Sequence, residues 1–235
     1  MIKKLTLLIT VLFCHSFSAN AQNNDVKLSG AMRNVMKKGD LSNTIHLDTL
    51  SYKKHLYGLG PKEKLKGELL VIDGESYVSA IDDKGNTLIE KTFNVKAPFF
   101  VYTNNEDWTE IVLPKSIKNI QDLENFLLKK SKNTDKPFVF KLKGNFEKIR
   151  FHIQNLPEGT VIKYPKDAHT NQSKFERTNC SGDIVGFFST KHQTLFTHHD
   201  SFVHMHYINE ERTEMGHIDD LFFKRKIKLY IPKNI

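Results

Sequence analysis

Residues 202–219, F-V-H-M-H-Y-I-N-E-E-R-T-E-M-G-H-I-D, set three histidines at a spacing that a metal ion would recognise. His204 and His206 are two apart, so on a β-strand both imidazoles leave the same face. The valine, methionine, tyrosine and isoleucine around them favour strand over helix. The polar run 209–214 then reads as a hairpin loop that returns His217 on the partner strand. Cross-strand Cβ atoms lie roughly 4.5–5.5 Å apart, which lets three imidazoles converge on one ion at about 2.0–2.1 Å per Zn–N bond. Three protein ligands leave a coordination position open, the pattern of a catalytic rather than a structural zinc. The other reading is that a basic chain with 11 histidines gathers some of them here as surface or satisfied core residues. His192, His198 and His199 add to that local enrichment, and the last two read as loop residues rather than further ligands.

A second group with chemical potential is Lys148, Arg150 and His152, which share one face of a strand whose other face carries Ile149, Phe151 and Ile153. A basic face on a half-buried strand is either solvated surface or an anion site, and charge alone favours the surface. Cys180 is the single cysteine beyond residue 21, so it makes no internal disulfide and reads as a buried apolar thiol.

Several elements must position these groups. Residues 1–21 have a basic start (Lys3, Lys4), an apolar run from Leu5 to Phe13 and Ala19-Asn20-Ala21 before Gln22, which reads as a secretory signal peptide. The apolar run is far short of the roughly 20 residues of a spanning helix, so a secreted or periplasmic protein without stable membrane insertion is expected. Removing this segment takes two lysines and lowers the formal net charge from +8 to +6. That balance suits an anionic small molecule. No arginine-rich helix or interleaved aromatic stripe argues for nucleic acid.

Helical spacing of Met32, Val35 and Met36 predicts a helix over 31–38, capped by Ser29 and ended by Gly39-Asp40, with a short turn at 47–50. A β-meander follows over 66–72, 76–81 and beyond, with turns at Asp73-Gly74 and 83–86. Another strand spans 97–103. Ile117, Ile120, Leu123, Phe126 and Leu127 mark an amphipathic helix capped by Ser116 or Asn119. Strands are expected at 138–142 and 146–153 around a Gly144-Asn145 turn, then a long polar loop over 157–182, strand 183–188, and a last strand over 221–231. Together these predict an N-terminal α/β domain over 22–135 and a C-terminal β-rich domain over 136–235. Antiparallel and mixed sheets are expected, with the zinc site on a C-terminal hairpin.

Leu56-Tyr57-Gly58-Leu59-Gly60-Pro61 followed by Leu65-Lys66-Gly67-Glu68-Leu69-Leu70 and Asp73-Gly74 resembles the G-x-G…L-x-G-E segment of the acetolactate decarboxylases. The order of a K-A-P-F strand (96–99), the helix from Ile120, a K-L-K-G-N-F strand (141–146), an I-V-G-F strand (184–187), H-x-H and a final G-H also resembles that family. The likeness extends over about 29–232. The resemblance implies an α/β fold of two small domains, a homodimer, and Zn2+ held by His204, His206 and His217. It further implies conversion of 2-acetolactate to acetoin and carbon dioxide through a metal-stabilised enediolate, with Glu68 supporting proton transfer. Without the resemblance, Glu68 reads as an exposed strand glutamate. The family's anion-orienting arginine falls on His152 here, so the expectation is that Arg150, two residues earlier, takes over that role, or that His152 does so when protonated. The family's C-terminal acidic tail has no counterpart before Ile235, and a short insertion separates Phe187 from His204. A related zinc lyase on another 2-hydroxy-3-oxo acid, or a non-catalytic zinc-binding homologue, are the alternatives.

Overall fold

The computed structural model describes residues 25–131 and 135–235, and the segment read as a signal peptide lies outside them. The first sheet comprises β1 (Lys27–Gly30), β3 (Leu56–Pro61), β4 (Glu68–Ile72), β5 (Glu75–Ile81), β6 (Thr87–Lys91) and β8 (Phe99–Asn104), in the order β1-β8-β3-β4-β5-β6. Its meander turns where Asp73 and Gly74 both take positive φ (49° and 82°), the pairing that a tight hairpin with native twist demands. β2 (Ile45–His46) and β7 (Lys96–Ala97) form a separate two-stranded ribbon.

The second sheet comprises β9 (Trp108–Val112), β10 (Phe138–Ile153), β11 (Ser173–Phe188), β12 (Val203–Asn209), β13 (Met215–Phe222) and β14 (Lys228–Pro232). β10 pairs with β11, β11 with β12, β12 with β13, and β13 back with β10, so four strands close into a ring. Their apolar side chains, among them Phe140, Phe146, Phe151, Ile184 and Tyr207, build the largest core together with Leu123 and Leu127 of α2 (Ile120–Lys130). Asn119 caps α2 by accepting from the Asp122 amide at 2.9 Å, as expected.

A second core joins Tyr57, Leu59, Leu70 and Val101 of the first sheet to Val139, Val185, Phe187 and Ile208 of the second. The two sheets therefore pack face to face, and β4 is carried against the histidine hairpin. A third element group, α1 (Met32–Lys38) and α3 (Pro165–Ala168), closes over Leu65, Leu156 and Ile162 at one end of this seam.

Several expectations give way. The chain is mostly β rather than evenly α/β, and every pairing between these strands is antiparallel, with no mixed sheet among the described residues. Ser29 does not cap α1, because it lies in β1 and its hydroxyl donates to the Thr44 carbonyl at 2.9 Å. Gly144-Asn145 is not a turn. β10 runs straight through it, and Gly144 takes a φ of 150° there, a backbone conformation that residues with a side chain rarely adopt. The expected loop over 157–182 is interrupted by α3 and ends at Gln172; β11 begins at Ser173, polar because much of that half is exposed. The last expected strand is two, β13 and β14, broken at Lys226 (φ 68°).

Candidate metal centre

The hairpin of β12 and β13 forms as its sequence predicts, and Asn209 pins the loop by accepting from the Thr213 and Glu214 amides at 2.8 and 2.9 Å. This fixes a register in which His206 faces His217 directly, and His217 in turn faces His152 on β10. Three imidazoles thus form a row across three strands, with His204 two residues along β12 on the same face.

His204, His206 and His217 are buried, at 3 %, 0 % and 8 % exposure. One nitrogen from each lies within 4.8 Å of the other two. His204 Nε2 and His217 Nδ1 are 3.1 Å apart; two nitrogens bound tetrahedrally at about 2.0–2.1 Å would stand about 3.3 Å apart. Burial, reinforced by the neighbouring histidines, holds all three pKa values far below the ordinary value, to about 3 for His206. The rings are therefore neutral at physiological pH, with lone pairs available. His206 Nε2 makes no hydrogen bond although it is fully buried, a cost that a bound cation would remove. The donor set fits a divalent ion that favours imidazole, and it leaves coordination positions for a substrate.

Glu68, on β4, reaches this centre from the other sheet. It is 2 % exposed, its Oε2 is 3.6 Å from His206 Nε2, and its Oε1 accepts from the Gln154 amide at 3.1 Å. Burial raises its pKa well above the usual carboxylate range, with the Asp219 charge adding to the rise and the Gln154 amide opposing it.

Of the two positions read for an anion, His152 lines the small chamber between Glu68, His204 and His217, and Arg150 does not. His152 Nδ1 is 2.7 Å from Asp219 Oδ1, and its ring centre is 4.8 Å from that of His217. Asp219 owes its aim to an irregularity in the β10–β13 ladder. Arg150 pairs with Asp220 and Phe151 with Ile218, leaving Asp219 as the extra residue of a bulge. Arg150 is half-exposed, with its guanidinium on Asp220.

Sequence reasoning missed Gln154, His169, His198 and Asp219 as chamber neighbours. Two had a signal. Gln154 continues the alternation of Arg150 and His152, and Asp219 follows His217 by two. His198, read as a loop residue, is in a loop, but its ring centre is 5.3 Å from that of His217. Burial lowers the pKa of both His198 and His169.

A family model described as alpha-acetolactate decarboxylase matches residues 30–233. The alpha-acetolactate decarboxylase of Brevibacillus brevis is 27% identical over 208 residues, covering 88% of this chain and 70% of that protein. That of Methanosarcina mazei is 30% identical over 165 residues, covering 70% of this chain but 55% of that protein. Among solved structures, alpha-acetolactate decarboxylase from Bacillus subtilis strain 168 superposes with a TM-score of 0.72 at 21% identity, covering 90% of this chain and 86% of that one. A Staphylococcus aureus protein of unknown function, similar to alpha-acetolactate decarboxylase, gives 0.70 at 20% identity, with 88% and 85% covered. At such identities the superpositions speak to the fold alone.

Proposed function

Because the chain belongs to the alpha-acetolactate decarboxylase family, we propose that it is a carboxy-lyase that converts 2-acetolactate to acetoin and carbon dioxide, with Zn2+ held by His204, His206 and His217. The observation that carries this reading is the buried, neutral imidazole triad, with His206 Nε2 among its unpartnered nitrogens. When bound, the ion would supply Lewis-acid stabilisation of negative charge on the substrate's oxygens.

The remaining chemistry falls to the chain's own side chains. Loss of carbon dioxide leaves an electron pair on carbon, and that carbon must gain one proton to give acetoin. Glu68 is the group for this task, since it is buried beside His206 and its rear oxygen is fixed by the Gln154 amide. His152, oriented by Asp219, is the group we assign to the substrate carboxylate, because it lines the chamber whereas the Arg150 guanidinium is occupied by Asp220. The apolar walls Met32, Pro61 and Phe99 exclude bulk water from the same space.

One observation favours a second reading, a related lyase for another 2-hydroxy-3-oxo acid: among the described residues, no arginine or lysine lines the chamber. Acetoin formation from racemic 2-acetolactate decides between them. Wild type should produce acetoin, and Glu68→Gln should reduce kcat by about a hundredfold with metal content unchanged. Bound metal with no acetoin from wild type would refute the proposed activity. We also propose export through the amino-terminal segment, on the strength of its sequence.

A further inference from the structure

The chamber between Glu68, His204 and His217 encloses about 30 Å³, room for water-sized molecules only. A hydroxy-oxo acid is several times larger, so it must arrive from, and partly occupy, a neighbouring space.

Two such spaces share walls with the chamber, and they differ in charge. A cleft of about 510 Å³ shares His198, His204 and His217 with it, and carries Glu124, Asp200, Asp219 and Asp220 but no lysine or arginine among the described residues. Arg150 offsets one of those four carboxylates from outside. A groove of about 200 Å³ shares Met32, Met36, His169 and His198 with the chamber; it is edged by Arg33 and Lys37 and carries no carboxylate among the described residues.

Arg33 and Lys37 are both exposed, and their spacing of four residues puts them on the same side of α1. Between this basic edge and the metal centre stand two methionines and two histidines. Methionine side chains have three rotatable bonds and yield without moving the helix. A negatively charged substrate meets attraction at one entrance and repulsion at the other, a difference that alters encounter rates by tenfold or more.

We propose that the anionic substrate reaches the metal chamber through the α1 groove, drawn by Arg33 and Lys37 past Met32 and Met36, and not through the acidic cleft. The inference rests on the reading of the site as a lyase for an anionic acid.

The test compares metal-loaded wild type with an Arg33→Glu/Lys37→Glu double variant and an Asp200→Lys variant, over salt from about 0.01 to 0.5 M, where screening lengths fall from about 30 Å to a few ångströms. The altered residues are all exposed, and matching thermal melts check that the fold is kept. The double variant should lose about tenfold in kcat/KM at low salt, with kcat unchanged, and the loss should shrink below about twofold at high salt. Asp200→Lys should stay within about twofold of wild type. Three results would overturn the route: an unaltered double variant, a loss that salt does not reduce, or a tenfold gain in Asp200→Lys. Failure of wild type to form acetoin would refute the activity instead. The route would then be read from stopped-flow association rates of 2-acetolactate across the same proteins and salts, with the same expected and opposing patterns.

Discussion

Glu124 gives the sharpest test of how the centre is held. It is 4 % exposed on α2, yet its two closest partners lie elsewhere in the chain: Oε1 accepts from the Ser201 hydroxyl at 2.5 Å and from the Phe202 amide at 2.8 Å, while Gln121 of the same helix donates to Oε2 at 3.3 Å. Residues 198–203 carry His198 and lead directly into His204, so this carboxylate ties the start of β12 to the helix. Truncation by Glu124→Ala leaves the Phe202 amide without an acceptor, at about 1–3 kcal/mol. The Ser201 hydroxyl loses less, because it still reaches the Val203 carbonyl at 3.1 Å. A total near 3 kcal/mol follows, or about 6–12 °C in Tm for a chain of this size. Glu124→Gln keeps an accepting oxygen and should cost about 1 kcal/mol. Thermal melts of both variants supply the assay, and zinc titration should give weaker binding for Ala than for Gln. An Ala variant within about 0.5 kcal/mol of wild type, or a Gln variant as damaged as Ala, would refute the tethering argument.

Further outcomes follow from burial and close approach. In the metal-free protein, His204, His206 and His217 stay neutral when folded but accept protons when unfolded, so protons favour the unfolded chain. Stability should hold above about pH 6.5 and fall as the pH drops through the window between the unfolded value of about 6.5 and the folded values, about 3 for His206; a metal-free Tm that is equal at pH 7 and pH 5 would contradict this. Gly216 sits where a Cβ would lie 2.4 Å from the His152 carbonyl oxygen and 2.7 Å from the Phe151 ring. Gly216→Ala should therefore cost about 1–3 kcal/mol in denaturant unfolding and weaken metal binding by displacing His217. Expression with residues 1–21 in a secreting bacterial host should yield a chain that starts at Gln22 by mass, and an exported chain that still starts at Met1 would refute the cleavage site.

The metal centre was legible because two regular patterns meet in it. The two-residue period of a strand puts His204 and His206 on one face, and the loop at 209–214 brings β13 back with His217 opposite His206. Glu68 was not legible from pattern alone, since its burial comes from sheet-on-sheet packing, which no local periodicity encodes; only the family resemblance pointed to it. The two halves of β11 show the same limit. Residues 184–188 are apolar because both faces are covered, and they read as a strand, whereas 173–182 also pair with β10, but for a break at Asn179, yet stay only partly covered and read as a loop. Ser29 misled as a helix cap because its hydroxyl is satisfied across the chain by Thr44, and Gly144 misled as a turn because its positive φ serves a continuous strand instead. His198 lies in a loop, where spacing predicts nothing about what a side chain faces.

On the proposed reading, His204, His206 and His217 hold a catalytic divalent ion. The most direct measurement determines metal content and acetoin formation in the same samples of wild type, chelator-treated wild type and His206→Ala. One ion per chain is expected in wild type, with acetoin formation lost on chelation, restored by adding Zn2+, and absent from His206→Ala together with the metal. Acetoin formed at the wild-type rate by metal-free protein, or one tightly bound ion per chain retained in His206→Ala, would contradict it.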